Sequence, residues 1–376
     1  MQGLTLIGSG WHPYLFRAEI KALTGPLEVI HPRVVYIPHT DSAIRRLSRA
    51  ALLDEVLSSA GRVWLHTSIT DGELSQHIAE WAGSNLPKGS FAVRARNLGT
   101  GIDGLSRNAI EGEVGALVMS EANPVDLESP EHEIVVVLAG PEDGPIHRDS
   151  MNFIGPKVVW GLRESAWQRE SFAGRAPTDR PFFQPVSLDP RQARLLISLA
   201  HRAGVESTTV VDPFCGTGGI AIEAALQGLE TLASDLDGRM VEGTRQNLDW
   251  AGVSASVEIS AVADVASVWG ERSGCIFAFD PPYGRSSWKS GDGLELLLEA
   301  MSAAHQIDSQ GAVCTMLPAD PETLSQESEQ DYQVMGRPWG EVEALIQEHG
   351  WVPVLKSPIR VHRSLARMVV VCHPAD

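Results

Sequence analysis

Val210-Val211-Asp212-Pro213-Phe214-Cys215-Gly216-Thr217-Gly218-Gly219 is the stretch that decides the fold. A short β-branched run ends in a carboxylate, a glycine-rich turn follows, and Gly219-Ile220-Ala221-Ile222 opens an apolar helix. In α/β folds such a turn lets the backbone approach a ligand closely at the carboxyl edge of a parallel sheet. An acidic residue opens the loop and no Lys-Ser/Thr pair follows, which argues against a phosphate-cradling P-loop. A carboxylate there suits a ligand with a cationic amine. Taken alone, the loop also fits a tight turn before any α/β helix.

Downstream spacing favours the ligand. Asp235 ends the next strand in Leu232-Ala233-Ser234-Asp235-Leu236-Asp237, about twenty residues on, where a carboxylate can accept hydrogen bonds from two ribose hydroxyls. Its alternative role is to cap the following helix. Asp264, after a third strand, can accept an adenine exocyclic N–H or cap a helix over residues 265–269. Three carboxylates at three successive strand ends predict an adenosine ligand with an amino-acid tail, S-adenosylmethionine. The expected cofactor contacts are Asp212, Phe214, Gly216, Gly218, Asp235, Leu236 and Asp264.

The pattern around this loop is strand–helix alternation from about residue 185 to the end. Helices are expected over 189–203, 219–227, 239–250, 293–306 and 341–349, with strands over 208–212, 231–235, 256–259, 275–280 and 312–317. Residues 352–359 and 367–372, joined by a short connection, read as a closing antiparallel hairpin. Together these predict a doubly wound, Rossmann-like sheet.

The fourth strand runs into Phe277-Ala278-Phe279-Asp280-Pro281-Pro282-Tyr283-Gly284-Arg285-Ser286. Consecutive prolines cannot continue a helix or supply ladder N–H groups, so they fix a rigid elbow that presents Asp280 and Tyr283 at the sheet edge. The segment resembles the (Asp/Asn/Ser)-Pro-Pro-(Tyr/Phe) motif of methyltransferases that act on exocyclic amino groups of nucleobases. The chemistry explains these residue types. Such a nitrogen is conjugated with its ring, and hydrogen bonds to the Asp280 carboxylate and to the carbonyl after it favour a pyramidal amine whose lone pair faces the methyl group. Tyr283 can stack on the extruded base. Asp280, Pro281, Pro282 and Tyr283 are therefore the expected catalytic set.

The N-terminal half has a different grammar. Expected elements are a strand over 4–7, a helix over 13–23, an extended run over 29–37, a helix over 42–59 and a strand over 63–67. A strand over 90–95, a helix over 105–119 and a β-branched strand over 133–138 follow. Residues 140–149 are turn-rich. Residues 150–185 carry Arg163, Arg169, Arg175 and Arg180 among few apolar positions and read as a linker.

Composition bounds the function classes. With 376 residues the chain is long enough for two or three domains, at roughly 100 to 200 residues each. Its apolar runs are strand-sized, so no membrane span is expected, and Met1 to Ile7 lacks the basic flank of a secretory signal. A cytoplasmic protein is the resulting expectation. Cys215, Cys275, Cys314 and Cys372 form no Cys-x-x-Cys pair and read as buried thiols, with no metal site. The formal net charge of −18 speaks against a broad basic footprint for nucleic acid. The excess acid is concentrated late: residues 1–90 carry 8 basic and 8 acidic side chains, whereas residues 181–376 carry 13 and 26. In that acidic half Lys356, Arg360, His362, Arg363 and Arg367 make the one dense basic run, readable as a solvated strand face or as a phosphate contact.

Resemblance extends beyond the catalytic elbow. Phe91-Ala92-Val93-Arg94, Glu113-Val114-Gly115 and Val125-Asp126-Leu127-Glu128-Ser129-Pro130 look like a THUMP domain, and Leu4 to Leu23 resembles the ferredoxin-like module that precedes it. Ser187-Leu188-Asp189-Pro190-Arg191-Gln192-Ala193-Arg194, Asp280 to Ser286, and Val361-His362-Arg363-Ser364-Leu365-Ala366-Arg367 together look like the archaeal tRNA (guanine-10, N2) methyltransferases and their eukaryotic relatives. Asp280 in place of Asn separates the chain from similar bacterial ribosomal guanine methyltransferases. Ala366 departs from the family tail, where a hydroxyl residue is expected.

The resemblance implies an α/β protein with a ferredoxin-like module (1–85), a THUMP RNA-binding domain (86–145), a linker (146–184) and a methyltransferase domain (185–376). It implies formation of N2-methylguanine and then N2,N2-dimethylguanine in tRNA. Arg94, Arg96, Arg285, Arg360 and Arg363 are the implied RNA contacts. The partner it implies is tRNA, with S-adenosylmethionine as cofactor; no metal and no membrane are expected from the cysteine spacing and the apolar runs, and the sequence leaves the oligomeric state open, a monomer being one option. An amino-methyltransferase of ribosomal RNA or DNA, or a non-catalytic RNA-binding protein on a degenerate methyltransferase fold, are the competing readings.

Overall fold

A computed structural model describes residues 3–64, 69–142, 155–185, 187–282, 292–325, 328–329, 332–362 and 365–375. The chain forms two compact units, one of Met1–Ser48 with Leu52–Glu170, the other of Arg49–Ala51 with Ser171–Asp376. Among the described residues no helix is long and apolar enough to cross a membrane.

The first unit is one sheet of β1 (Gly3–Gly8), β2 (Glu28–His31), β3 (Val34–Pro38), β4 (Leu53–Trp64), β5 (Phe91–Leu98), β6 (His132–Ala139) and β7 (Lys157–Arg163), in the order β2-β3-β1-β4-β7-β6-β5. Among the described strand pairs of this sheet, β5–β6 is parallel and the others are antiparallel. The alternation of β6 explains why both faces are covered. Ile134, Val136 and Leu138 pack with Leu74, Ile78, Ile110 and Val114 from helices Asp71–Asn85 and Arg107–Val118, while Val135 and Val137 pack with Ile7, Val34 and Leu57 on the other face.

Two expectations are corrected here. The helix expected over 42–59 is only Asp41–Leu47, capped by Thr40, and strand β4 takes over from Leu53. Leu53, Val56 and Leu57 have helical spacing because β4 lies between β1 and β7 and buries apolar residues toward both faces, which erases the period of two. The stretch read as a linker supplies β7, which pairs with β4 on one side and β6 on the other. The ferredoxin-like and THUMP-like stretches therefore share one continuous sheet.

The second unit carries the doubly wound sheet that the glycine-rich loop predicts. β8 (Thr209–Asp212), β9 (Glu230–Asp235), β10 (Ser256–Ile259), β11 (Cys275–Phe279) and β12 (Ala312–Ala319) are parallel, in the order β10-β9-β8-β11-β12. A short hairpin follows, β13 (Gln333–Val334) with β14 (Arg337–Pro338). The closing hairpin is β15 (Trp351–His362) with β16 (Leu365–Pro374), and β16 is the inner strand, antiparallel to β12. Phe277, Phe279, Leu297, Met301, Val313 and Trp351 fill the core beneath β11 and β12, where the Trp351 indole N–H donates to the Met301 carbonyl at 2.9 Å. Strand order reverses at β8, which has β9 on one side and β11 on the other. Ligands of open α/β sheets bind in the crevice at such a reversal.

Candidate functional site

The carboxyl ends of β8, β9 and β11 meet at that reversal and present Asp212, Asp235 and Asp280. Asp212 is 1% exposed and accepts the Phe214 N–H at 3.0 Å, which folds the chain back into the loop. Burial, then the neighbouring Asp235 and Asp280, push its carboxyl up to about 8. Gly216 and Gly218 both have left-handed backbone (φ +51° and +79°). A Cβ on Gly218 would lie 2.9 Å from the Thr244 methyl, so a side chain is excluded by space as well as by backbone. Helix Gly219–Leu226 starts directly from this loop with no side-chain cap on its first N–H groups.

Asp235 is held between two backbone donors, Gly216 N–H on Oδ2 at 3.0 Å and Asp237 N–H on Oδ1 at 2.9 Å. The helix-cap role falls to Asp237, whose side chain accepts the Arg239 N–H at the start of helix Gly238–Ala251. Asp264 stands at the N-cap position of helix Val265–Trp269, but its side chain is exposed and makes no capping bond. Two apolar side chains flank this edge in water: Leu236 is 74% and Ile259 is 62% exposed. Exposed apolar groups beside acceptors of this kind match the face and edge of a purine nucleoside. Phe214, in contrast, turns toward the core and meets Phe279 edge-on, with ring centroids 5.8 Å apart.

Asp280 follows β11 directly. Its Oδ1 is buried and has no hydrogen-bond partner among the described residues, and Pro281 beside it is buried. Burial pushes its carboxyl up to about 6, with Arg367 of β16 acting in the opposite direction. An acceptor so placed is incomplete until a donor arrives, since a buried lone polar atom is costly. Tyr283, Arg285 and Arg363 lie outside the described residues.

The site fits S-adenosylmethionine. It offers the Asp235 carboxylate oxygens for a ribose, the exposed Leu236 and Ile259 for a purine, and side-chain-free backbone at Gly216 and Gly218 for the tail. Among the described residues no cluster of three or more His, Cys, Asp or Glu could hold a metal ion, and all four cysteines are buried thiols.

The basic residues have other company. In the first unit Arg94 pairs with Glu133 at 3.2 Å and donates to the Leu127 carbonyl, and Arg96 pairs with Glu55 at 3.0 Å. Both line a cavity of about 440 Å³ with Asp54, Arg163, Trp167 and Arg169. Arg360 is exposed on β15. Lys356 of the basic run bonds Glu329 at 3.0 Å and sits over the Trp339 ring.

One supporting cluster escaped the sequence reading. Glu223, on the apolar helix Gly219–Leu226, is fully buried between Arg175 and Arg194, each with Nε 2.9 Å from a carboxylate oxygen. The available signal was the carboxylate itself, because a charge in an all-apolar helix needs a partner. Ser187 and Thr217 bond through their hydroxyls at 2.9 Å, and Asn247 donates to the Phe182 and Thr217 carbonyls. Residues 175–194 are thus tied to the glycine-rich loop.

The family model described as RMKL-like, methyltransferase domain, matches residues 177–347. The structure of TrmN from Thermus thermophilus covers 100% of both chains with a TM-score of 0.51 at 19% identity, which shows a shared fold. A tRNA (guanine(10)-N2)-dimethyltransferase of Pyrococcus abyssi is 28% identical over 73% of this chain and 76% of its own length. Its counterpart from Methanothermobacter thermautotrophicus is 31% identical over 330 residues, spanning 87% of this chain and 83% of that protein. At that identity and coverage, with the strand-end carboxylates and the Asp-Pro-Pro elbow in place, the chain belongs to the tRNA (guanine(10)-N2)-dimethyltransferase family.

Proposed function

We propose that the protein methylates N2 of guanine 10 in tRNA with S-adenosylmethionine, first to N2-methylguanine and then to N2,N2-dimethylguanine. The observation that carries this reading is the buried, unpartnered Oδ1 of Asp280 on a proline elbow at the topological reversal of the sheet. When bound, the cofactor supplies an electrophilic methyl group on a sulfonium. Asp235 holds the ribose, Asp212 faces the positive charge, and Gly216 and Gly218 give the tail room. Asp280 accepts a hydrogen bond from the guanine amine and thereby turns its lone pair toward the methyl. The methylated nitrogen is strongly acidic, so Asp280 or water takes its proton without a specially tuned base. Tyr283 stacks on the extruded guanine.

The first unit, with its ferredoxin-like and THUMP-like stretches, captures the tRNA in the cytoplasm, and Arg94, Arg96, Arg285, Arg360 and Arg363 are the proposed RNA contacts. Arg94 and Arg96 already spend donors on Glu133 and Glu55, so their contribution to RNA affinity should be smaller than their number suggests. The direct test offers the purified protein tRNA transcripts carrying guanine or inosine at position 10. Inosine lacks the exocyclic amine, and methyl incorporation should vanish with it while cofactor binding is unchanged. Equal incorporation into both transcripts would displace guanine 10 as the target.

The cofactor assignment has its own test. Asp235→Ala removes the charged ribose acceptor, and a hydrogen bond to a charged group contributes about 1.5–3 kcal/mol. Calorimetry should show affinity for S-adenosylmethionine falling roughly 10- to 150-fold. Wild-type affinity in this variant would show that Asp235 does not hold the cofactor.

A further inference from the structure

Arg180, read from the sequence as part of a linker, is 5% exposed and lies against the start of helix Gly219–Leu226. Its Nε and Nη2 donate to the Arg175 carbonyl at 3.3 and 3.2 Å, and Nη2 also reaches the Leu188 carbonyl at 3.4 Å. The other side of the fork is idle: Nη1 is buried and has no hydrogen-bond partner among the described residues. It lies 3.3 Å from where a Cβ on Gly219 would stand, so a glycine at the first helical position is what lets the guanidinium come so close. Glu223, one turn further along the helix, gives its oxygens to Arg175 and Arg194 instead. Asp179 and Asp189, near enough to act on Arg180 through space, accept the backbone N–H groups of Ala176 and Arg191.

The first turn of that helix adds donors. Among the described residues the N–H groups of Gly219, Ile220 and Ala221 have no acceptor, and Ile222, bonded to the Gly218 carbonyl at 2.9 Å, is the first that has one. Ser187 is tied to the same loop. Its Oγ accepts the Thr217 O–H at 2.9 Å and the Gln184 N–H at 3.2 Å, which fills both lone pairs and leaves its own hydrogen without an acceptor among the described residues. Donors left unmade in a buried place are costly, above all on a cation. An uncapped helix start with a guanidinium and a hydroxyl set against it has the chemistry that recognises a carboxylate.

Resting on the cofactor reading above, we propose that Arg180, Ser187 and the first turn of helix Gly219–Leu226 bind the α-carboxylate of the methionyl tail, and that Arg180 makes the site demand that carboxylate. The loop sets the placement. Gly216 donates to Asp235, the proposed ribose acceptor, and its neighbour Thr217 bonds Ser187. With 3.8 Å between successive Cα atoms, Gly216 and Gly219 are at most about 11 Å apart. A ligand whose ribose rests on Asp235 therefore carries its tail along the side-chain-free backbone at Gly216 and Gly218 toward the idle Nη1. An RNA phosphate fits this place less well, since Arg180 is enclosed, whereas Arg360, a proposed RNA contact, is exposed. The carboxylate alone distinguishes the cofactor from its decarboxylated form, which keeps the adenosine, the sulfonium and the ammonium.

The experiment is calorimetric titration of the full-length protein with S-adenosylmethionine and with decarboxylated S-adenosylmethionine. The wild-type protein should favour the first by roughly 10- to 150-fold, the weight of a hydrogen bond to a charged group. Arg180→Met should remove most of that preference by weakening S-adenosylmethionine, while affinity for the decarboxylated ligand stays close to wild type. Ser187→Ala should narrow the preference by a smaller factor, roughly 2- to 12-fold. Should Arg180→Met not fold, Arg180→Lys carries the test, because it keeps the cation without the fork and should narrow the preference as well. Equal wild-type affinity for the two ligands would overturn the proposal. So would a folded Arg180 variant that keeps the wild-type preference, or one that weakens both ligands alike, the mark of a strut for the Arg175 and Leu188 carbonyls. Those outcomes leave the cofactor assignment intact, because the wild-type protein still binds S-adenosylmethionine in each. Failure of the wild-type protein to bind either ligand would end the cofactor assignment and the proposal with it.

Discussion

Asp280→Ala should lower the single-turnover rate of methyl transfer by about 10²–10³, the range for loss of one preorganised transition-state interaction, while affinity for tRNA stays near wild type. The same substitution should hold or raise the melting temperature. The folded-state pKa of Asp280 is raised by burial, so ionising it costs more in the folded than in the unfolded protein. That burden grows as pH rises from the ordinary aspartate value, near 3.8, to about 6, and above 6 it is present in full. Removing the carboxyl removes the burden at pH 8. A rate that collapses in a protein that melts no earlier separates an oriented catalytic acceptor from a structural elbow, for which rate and stability would fall together. The wild-type rate should also decline below about pH 6, where the protonated carboxyl loses acceptor strength. Tyr283 adds a second arm: Phe should be mild, because stacking needs only the ring, and Ala severe, in line with roughly 1–3 kcal/mol for a base–aromatic stack. A well-folded Asp280→Ala enzyme that methylates at the wild-type rate would refute the mechanism.

What the sequence disclosed about this site depended on sequence distance. Asp212, Gly216 and Gly218 were legible because strand end, turn and helix start lie within ten residues and their backbone demands are local. Asp235 and Asp280 were legible because each ends a buried apolar strand, so parallel pairing alone brings them to the same edge. What was not legible in the sequence depended on distant partners. β4 showed helical spacing because β1 and β7 bury it from both sides, and β7 is about a hundred residues away. Lys356 sat in a basic run that suggested phosphate, yet Glu329, Glu343 and the Trp339 ring occupy it from elsewhere in the chain. Arg94 and Arg96 are likewise claimed by Glu133 and Glu55 across the sheet. A charge is conspicuous in a sequence, whereas its counter-charge is visible only in the fold.

Glu223 is the strongest instance of that rule, and its removal should have the largest effect on stability. Its carboxylate is 1% exposed and holds Arg194, 3% exposed, and Arg175, 18% exposed, from positions 29 and 48 residues earlier in the chain. Both guanidinium groups, with that of Arg191, also lie over the Phe172 ring at 5.4–5.8 Å. Glu223→Ala removes the buried carboxylate that both cations share. Breaking a buried pair by deleting one partner costs about 3–5 kcal/mol, far more than the pair contributes relative to well-packed apolar side chains. For a folding unit of this size that corresponds to a fall in melting temperature of roughly 6–20 °C. Glu223→Gln keeps the acceptor oxygen and the shape, so it should lose less. A Glu223→Leu, Arg194→Met double variant should recover much of the loss, because it removes one buried cation together with the anion. The functional consequence is indirect. Arg175 and Arg194 fix the segment whose Ser187 bonds Thr217 in the glycine-rich loop, so cofactor affinity should fall in Glu223→Ala even at temperatures where it is fully folded. Melting curves and cofactor titrations of the three variants test both statements, and a Glu223→Ala protein that melts at the wild-type temperature would show that the two arginines are satisfied without it.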